Sequence, residues 1–269
     1  VAGELRRLGE RDRWLLGLLA EHQVLTTAQI AGLGFSHPHT ARNRLALLHS
    51  RDVLIRFRDL VRPGSQSWRW CLGPIGAAYI ANRDGQPVPT RATTLKRADR
   101  LSTSPRLAHL LGVNAFFTDL AIHARTTGGD AELQVWWSEN ACRRNATGEL
   151  VRPDGHGAWR EGEQVREFWL EYDRATEDTS RVVAKLDGYA RLHRATGLGH
   201  VICYQMQTRR QETELTKRLA AHPAVASGLL TVATMSEDGH PAGTVWQVAG
   251  SETGHRRKLI ELPSADPRR

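Results

Sequence analysis

The sequence predicts a mixed α/β (α+β) chain built in two parts. Three observations carry this. Apolar residues recur at helical spacing through the first 50 residues and then alternate in two short runs. A polar, proline-bearing stretch, Asn-Arg-Asp-Gly-Gln-Pro-Val-Pro-Thr, comes next. Beyond it the pattern reads helix, three strands, helix, strand. The 269 residues, 40% hydrophobic and 25% charged, have a globular composition and suffice for one large or two small domains. The expected boundaries are 1–82, a linker at 83–105, a second domain at 106–262 and a tail at 263–269.

Within the first part, Glu10–His22 carries Trp14, Leu15, Leu18 and Leu19 at helical spacing. Thr26–Leu33 follows, with Thr26 or Thr27 placed to cap it. Gly34-Phe35 makes a turn. A third helix starts near His37-Pro38, where proline fits the first turn, and runs to Ser50. Val53–Phe57 and Ser67–Leu72 then read as strands around the turn Arg62-Pro63-Gly64-Ser65.

This order resembles a winged helix-turn-helix, the third helix being the one such folds place in a DNA major groove. Ala41, Leu45 and Leu48 share its inner face. His39, Thr40, Arg42, Asn43 and Arg44 remain to read base edges, and Arg56, Arg58, Arg62 and Arg69 of the wing to reach phosphates. Trp68 and Trp70 read as hairpin packing. Charge points the same way. Residues 1–104 hold 16 Lys/Arg against 8 Asp/Glu, whereas the remainder balances at 21 and 21. The whole positive excess therefore lies beside the expected groove-reading helix, which predicts an anionic partner, double-stranded DNA.

Other classes are excluded by composition. No apolar run reaches a membrane-spanning length and no secretory signal is visible, so the expected setting is cytoplasmic, with no membrane partner. Cys71, Cys142 and Cys203 are odd in number and widely spaced, which argues against a disulfide scaffold or a structural zinc site. There is no Walker-type glycine-rich loop.

The second part opens with a helix at Arg106–Thr127. Strands are expected at Glu132–Glu139, Val151–Trp159 and Arg166–Asp173, a helix at Asp178–Ala195, a strand at His200–Gln207 and a helix at Thr208–His222. Gly228–Thr234, Thr244–Val248 and Lys258–Leu262 are further strand candidates. Acidic residues fall at informative places in this order. Asp154 follows Pro153 near the start of the second strand. Glu171 and Asp173 are two apart on the third and share a face. Lys185, one of four lysines in the chain, and Tyr189 are four apart on the next helix and share a face too. Oxygen donors of this kind suit Mg²⁺ or Mn²⁺, with Asp154, Glu171 and Asp173 as ligands. Such an ion activates water and neutralises charge on a phosphodiester, and Lys185 would assist. Glu139 at a strand end, Tyr189, and His109 in the first turn of the long helix are additional candidates for the site. His156, in Pro-Asp-Gly-His-Gly, reads as an exposed turn residue.

The αβββαβ order with Pro153-Asp154 and Glu171-Tyr172-Asp173 resembles the PD-(D/E)xK nuclease superfamily, whose fold is restriction-endonuclease-like. Asp173 stands where that superfamily has lysine, and Lys185 would serve as its migrated substitute. More specifically, the chain from Arg11 to His222 resembles the replication-relaxation family of plasmid and mobile-element proteins. The resemblance rests on the helix-turn-helix opening, Arg152-Pro153-Asp154-Gly155, Glu171-Tyr172-Asp173-Arg174 and Lys185-Leu186-x-x-Tyr189. It implies a role in plasmid replication or DNA transfer, alongside replication or transfer proteins. Three functions are compatible: a metal-dependent endonuclease or nickase; a non-catalytic DNA-binding adaptor with a degenerate nuclease fold; and a relaxase using Tyr172 or Tyr189 as nucleophile.

Overall fold

In the computed structural model, which describes residues 7–59, 66–174, 179–252 and 254–264, the first helices follow the apolar spacing of the sequence. Helix α1 (Glu10–His22) buries Leu15, Leu16 and Leu19, and Asp12 closes its first turn by accepting the Gly9 N–H at 2.9 Å. After the short strand β1 (Leu25–Thr26), helix α2 (Thr27–Gly34) opens with a reciprocal cap. Thr26 Oγ1 accepts from Gln29 N–H at 3.2 Å and Gln29 Oε1 accepts from Thr26 N–H at 2.8 Å, satisfying two otherwise orphaned donors. Helix α3 (Pro38–Ser50) starts on its proline and buries Ala41, Leu45 and Leu48.

Strands β2 (Leu54–Phe57) and β3 (Arg69–Leu72) pair antiparallel, and β1 adds to the far edge of β3 to give the order β1-β3-β2. Trp70 anchors this sheet: it is 2% exposed and its Nε1–H donates to Thr27 Oγ1 at 2.8 Å. The turn expected at 62–65, with Arg62, lies outside the described residues.

Residues 83–105 are not an extended linker. Helix α4 (Pro74–Arg83) follows β3 directly, and α5 (Arg91–Ser102) fills the stretch, with Thr90 Oγ1 accepting from Thr93 N–H at 3.1 Å as its cap. Helix α5 buries only Thr94 and Ala98, so it lacks the apolar stripe that marks a helix in sequence. Gly76 lets α4 approach the entry to β2: a Cβ there would lie 2.4 Å from the Val53 carbonyl oxygen.

Helix α6 (Leu107–Thr126) carries the division of the chain, which falls into the units Val1–Thr118 and Asp119–Arg269 rather than parting at 105. The reason is visible at Asn114. Its buried amide donates to the carbonyls of His22 at 3.0 Å and Val24 at 2.7 Å, tying the first half of α6 to the end of α1. By length and composition α6 is also apolar enough to cross a membrane, which the sequence reading did not anticipate.

The second unit is built on a seven-stranded sheet of order β10-β9-β8-β7-β6-β5-β4. Strand β4 (Ala131–Ser138) is followed by the short helix α7 (Glu139–Cys142) and a π-helical turn, Arg143–Thr147. Strands β5 (Gly155–Glu161) and β6 (Gln164–Asp173) form a hairpin whose turn uses Gly162 at φ 55°. The second strand begins four residues later than expected, because Pro153 has no N–H to place in a ladder. Helix α8 (Thr179–Thr196) leads to β7 (Val201–Met206), which lies parallel to β6; the expected start at Asp178 is outside the described residues. Helix α9 (Arg209–Ala220) ends before Pro223, which starts the separate helix α10 (Pro223–Ala226). Strand β8 (Val232–Ser236) pairs parallel to β7, and β9 (Trp246–Val248) and β10 (Arg256–Arg257) continue antiparallel. The expected strand at Lys258–Leu262 is instead a 3-10 turn at Leu259–Glu261, closed by Lys258 N–H donating to Glu261 Oε2 at 2.8 Å. Trp169, Leu186, Tyr189, Ile202, Tyr204, Leu215 and Val232 fill the core between this sheet and helices α8 and α9.

Candidate functional site

Strand alternation determines which β6 side chains meet α8. Trp169 packs into the α8 core, so Glu171 and Asp173, of the same parity, lie on that face. The pairing Gly155↔Leu170 puts Asp154, one step outside β5, across from Glu171. Asp154 is held there twice: its N–H donates to the Leu170 carbonyl at 3.0 Å, and its Oδ2 accepts from Tyr172 N–H at 2.8 Å. From α8, Lys185 Nζ donates to Glu171 Oε2 at 2.6 Å and Tyr189 OH donates to Glu171 Oε1 at 2.7 Å.

Glu171 is 2% exposed, and Lys185 retains 31% of its side-chain exposure. Burial pushes the Glu171 carboxyl up to about 7; Lys185 opposes this and the Asp154 charge adds to it. Burial, reinforced by Glu171, holds the Tyr189 phenol well above its ordinary range. Asp154, Glu171, Lys185 and Tyr189 thus converge as one cluster. Asp173, half-buried, closes β6 opposite Met206. Glu139 opens α7, where its charge acts on Arg152. His109 belongs to the first unit, the acidic cluster to the second.

Tyr172 points to the other sheet face and donates its hydroxyl to Glu237. That partner was not legible in the sequence: Glu237 lies beyond β8, and the contact depends on the parallel β6-β7-β8 register. Burial first, and then this bond, raise the Tyr172 phenol above its usual range. Neither tyrosine is poised as an exposed, readily ionised nucleophile. His156 is a buried strand residue, 2% exposed, not a turn residue on the surface.

In the first unit, α3 turns His39, Thr40, Arg42 and Asn43 to solvent, with Asn43 Nδ2 3.4 Å from His39 Nδ1. Arg44 leaves this set. Its guanidinium forms a two-point ion pair with Asp12 of α1, which is 3% exposed, and so ties α3 to α1. Arg56 and Arg58 stack on the Trp68 ring at 4.4 and 4.1 Å from its centroid, so Trp68 orders two cations at the end of the hairpin. Arg69 is turned aside, bonded to Asp59 at 2.9 Å and Gln66 at 2.7 Å.

The family model described as Replication-relaxation matches residues 16–201. No curated protein and no solved structure matches the chain.

Proposed function

The chain belongs to the replication-relaxation family, and on that premise we propose that it binds double-stranded DNA in plasmid replication or transfer and hydrolyses a phosphodiester bond there. The first unit acts as a winged helix-turn-helix: Thr40, Arg42 and Asn43 face base edges, and Arg56 and Arg58 face phosphates. The second acts as a restriction-endonuclease-like cutting unit. One observation carries the reading: Asp154, one step before β5, stands opposite Glu171 of β6, with Lys185 Nζ 2.6 Å from Glu171.

The residues fit Mg²⁺ or Mn²⁺. The donors are hard carboxylate oxygens, and a carboxyl raised by burial and by a neighbouring carboxylate is one that a cation would relieve. Asp154 and Glu171 would hold the ion, with Asp173 beside them. When bound it supplies Lewis-acid activation of water and of the phosphoryl oxygen. The chain's own groups do the positioning. Tyr172 N–H fixes the Asp154 carboxylate, and Tyr189 OH fixes the Glu171 carboxylate. Lys185, with its partly exposed ammonium, neutralises the phosphate.

A second reading has a specific observation behind it. Both Glu171 oxygens already have donors within the chain, as a degenerate nuclease serving as a DNA-binding adaptor would have. Supercoiled plasmid incubated with wild type and Glu171→Gln, each with Mg²⁺, Mn²⁺ or EDTA, separates the two. Nicked or linear product from wild type with metal alone supports hydrolysis. Intact plasmid with a retained, salt-sensitive gel shift supports the adaptor. No gel shift at any salt overturns both.

A further inference from the structure

We propose that His156, Glu167 and His200 form a second cation site in the C-terminal unit, separate from the acidic cluster and selective for Zn²⁺ or a neighbouring borderline first-row ion. Sheet register brings the three together from three adjacent strands. His156 on β5 pairs with Trp169 of β6, and Ala158 pairs with Glu167. The parallel pairing Phe168↔Val201 puts His200, at the entry to β7, across from Glu167. One ligand atom from each residue lies within 4.8 Å of the other two, and His200 Nδ1 is 3.5 Å from Glu167 Oε2.

A separate observation points to a ligand. His156 is 2% exposed, and neither of its ring nitrogens has a hydrogen-bond partner among the described residues. A neutral imidazole carries one donor and one acceptor. Leaving either unmet in a buried setting is unfavourable. The ring sits between Trp137, centroid 4.8 Å away, and Trp169, at 4.6 Å, and neither indole ring face replaces a strong acceptor or donor. A cation takes the lone pair of the accepting nitrogen, which leaves only the N–H of the ring unmet and gives the residue a partner on the Glu167 side.

The donor chemistry selects the ion. Two imidazole nitrogens and one carboxylate oxygen are a zinc set, unlike the all-oxygen set at Asp154 and Glu171. With ligand bonds of about 2.0–2.1 Å, tetrahedral coordination sets donors about 3.4 Å apart. The His200–Glu167 edge is already near that value, and side-chain rotation closes the rest. Three protein ligands would leave a fourth position for water, and Glu167 keeps 35% of its side-chain exposure. Trp169 separates the two sites: its ring faces His156 and, at 5.2 Å, His200, while Tyr189 lies 6.5 Å away towards Glu171.

The test uses the full chain, stripped with chelator and titrated with Co²⁺ as a spectroscopic probe, then with Zn²⁺ in competition. Wild type is expected to show the visible bands of tetrahedral Co²⁺, saturating at one equivalent and displaced by Zn²⁺. His200→Gln and Glu167→Gln are chosen because both residues keep some exposure and Gln approximates their size. Each is expected to weaken the site by roughly 100-fold or more, with an unchanged circular dichroism spectrum. Glu171→Gln is expected to keep the bands, which separates this site from the proposed hydrolytic one. Absence of the bands in wild type overturns the inference. So does equal Co²⁺ affinity in His200→Gln, or loss of the bands in Glu171→Gln but not in His200→Gln.

Discussion

Glu171→Gln isolates the electrostatic cost of the buried carboxyl in the acidic cluster. Burial holds Glu171 near 7 in the folded chain against an ordinary 4.5, despite the Lys185 ammonium at 2.6 Å. A carboxyl that binds its proton more tightly when folded contributes stability that is fully present below the unfolded pKa. That contribution is lost as pH rises through the folded pKa. At about 1.4 kcal/mol per pKa unit, the span from 4.5 to about 7 amounts to about 3 kcal/mol. Wild type, held in EDTA, is therefore expected to lose about 2–3 kcal/mol through this group between about pH 5 and pH 8. Gln keeps the shape, the Tyr189 contact and an acceptor for Lys185, but does not titrate. The variant should match wild type at the acid end and exceed it by about 2–3 kcal/mol at the alkaline end. Urea unfolding followed by tryptophan fluorescence at several pH values measures both curves. Parallel curves, or a variant less stable than wild type at alkaline pH, would refute the reasoning: the ion pair with Lys185 would then outweigh burial. Mg²⁺ added to wild type should flatten its slope if Asp154 and Glu171 take the ion, because a bound cation draws the Glu171 pKa down.

Arg44→Met strands the buried Asp12 carboxylate and is expected to cost about 3 kcal/mol in urea unfolding, whereas Arg42→Ala on the same helix should stay within about 0.5 kcal/mol. On a DNA duplex the order reverses: Arg42→Ala should weaken binding by about 1–3 kcal/mol and relax sequence preference, and Arg56→Ala and Arg58→Ala should each lower the slope of log affinity against log salt by about 1. An unchanged slope in both hairpin variants by gel shift would remove Arg56 and Arg58 from the interface, and unchanged affinity and sequence preference in Arg42→Ala would remove Arg42. Gly188 of α8 has no room for a side chain, since a Cβ would meet the Leu150 carbonyl oxygen at 2.8 Å and Val151 Cβ at 3.1 Å. Gly188→Ala is expected to cost about 1–3 kcal/mol and, by displacing α8, to disturb Lys185 and Tyr189, with any plasmid cleavage falling by more than the fraction of folded protein.

Helix α5 shows where sequence reading stops. Its residues carry no apolar stripe, and its place against the first unit is decided by neighbours rather than by its own pattern. Arg44 makes the same point for a single residue. On the helix surface it is indistinguishable from Arg42, and only the packing of α3 on α1 delivers it to an aspartate 32 residues upstream.

The local periodicities determined α1 to α3, the hairpin, and the run of α6, β4, β5, β6, α8 and β7, because repeat spacing is a property of neighbouring residues. The same locality made Glu171 and Asp173 readable as sharing a strand face, and Lys185 and Tyr189 a helix face, before any folding partner is known. That Asp154 and the helix pair meet Glu171 came from the resemblance of the αβββαβ order with its Pro153-Asp154, not from spacing. Strand register and burial depend on residues far apart in the chain, so no local pattern encodes them. They alone decided that the Glu171 carboxyl is raised, that the Tyr172 hydroxyl goes to Glu237, and that His156 is buried beside Glu167 and His200 instead of standing in an exposed turn.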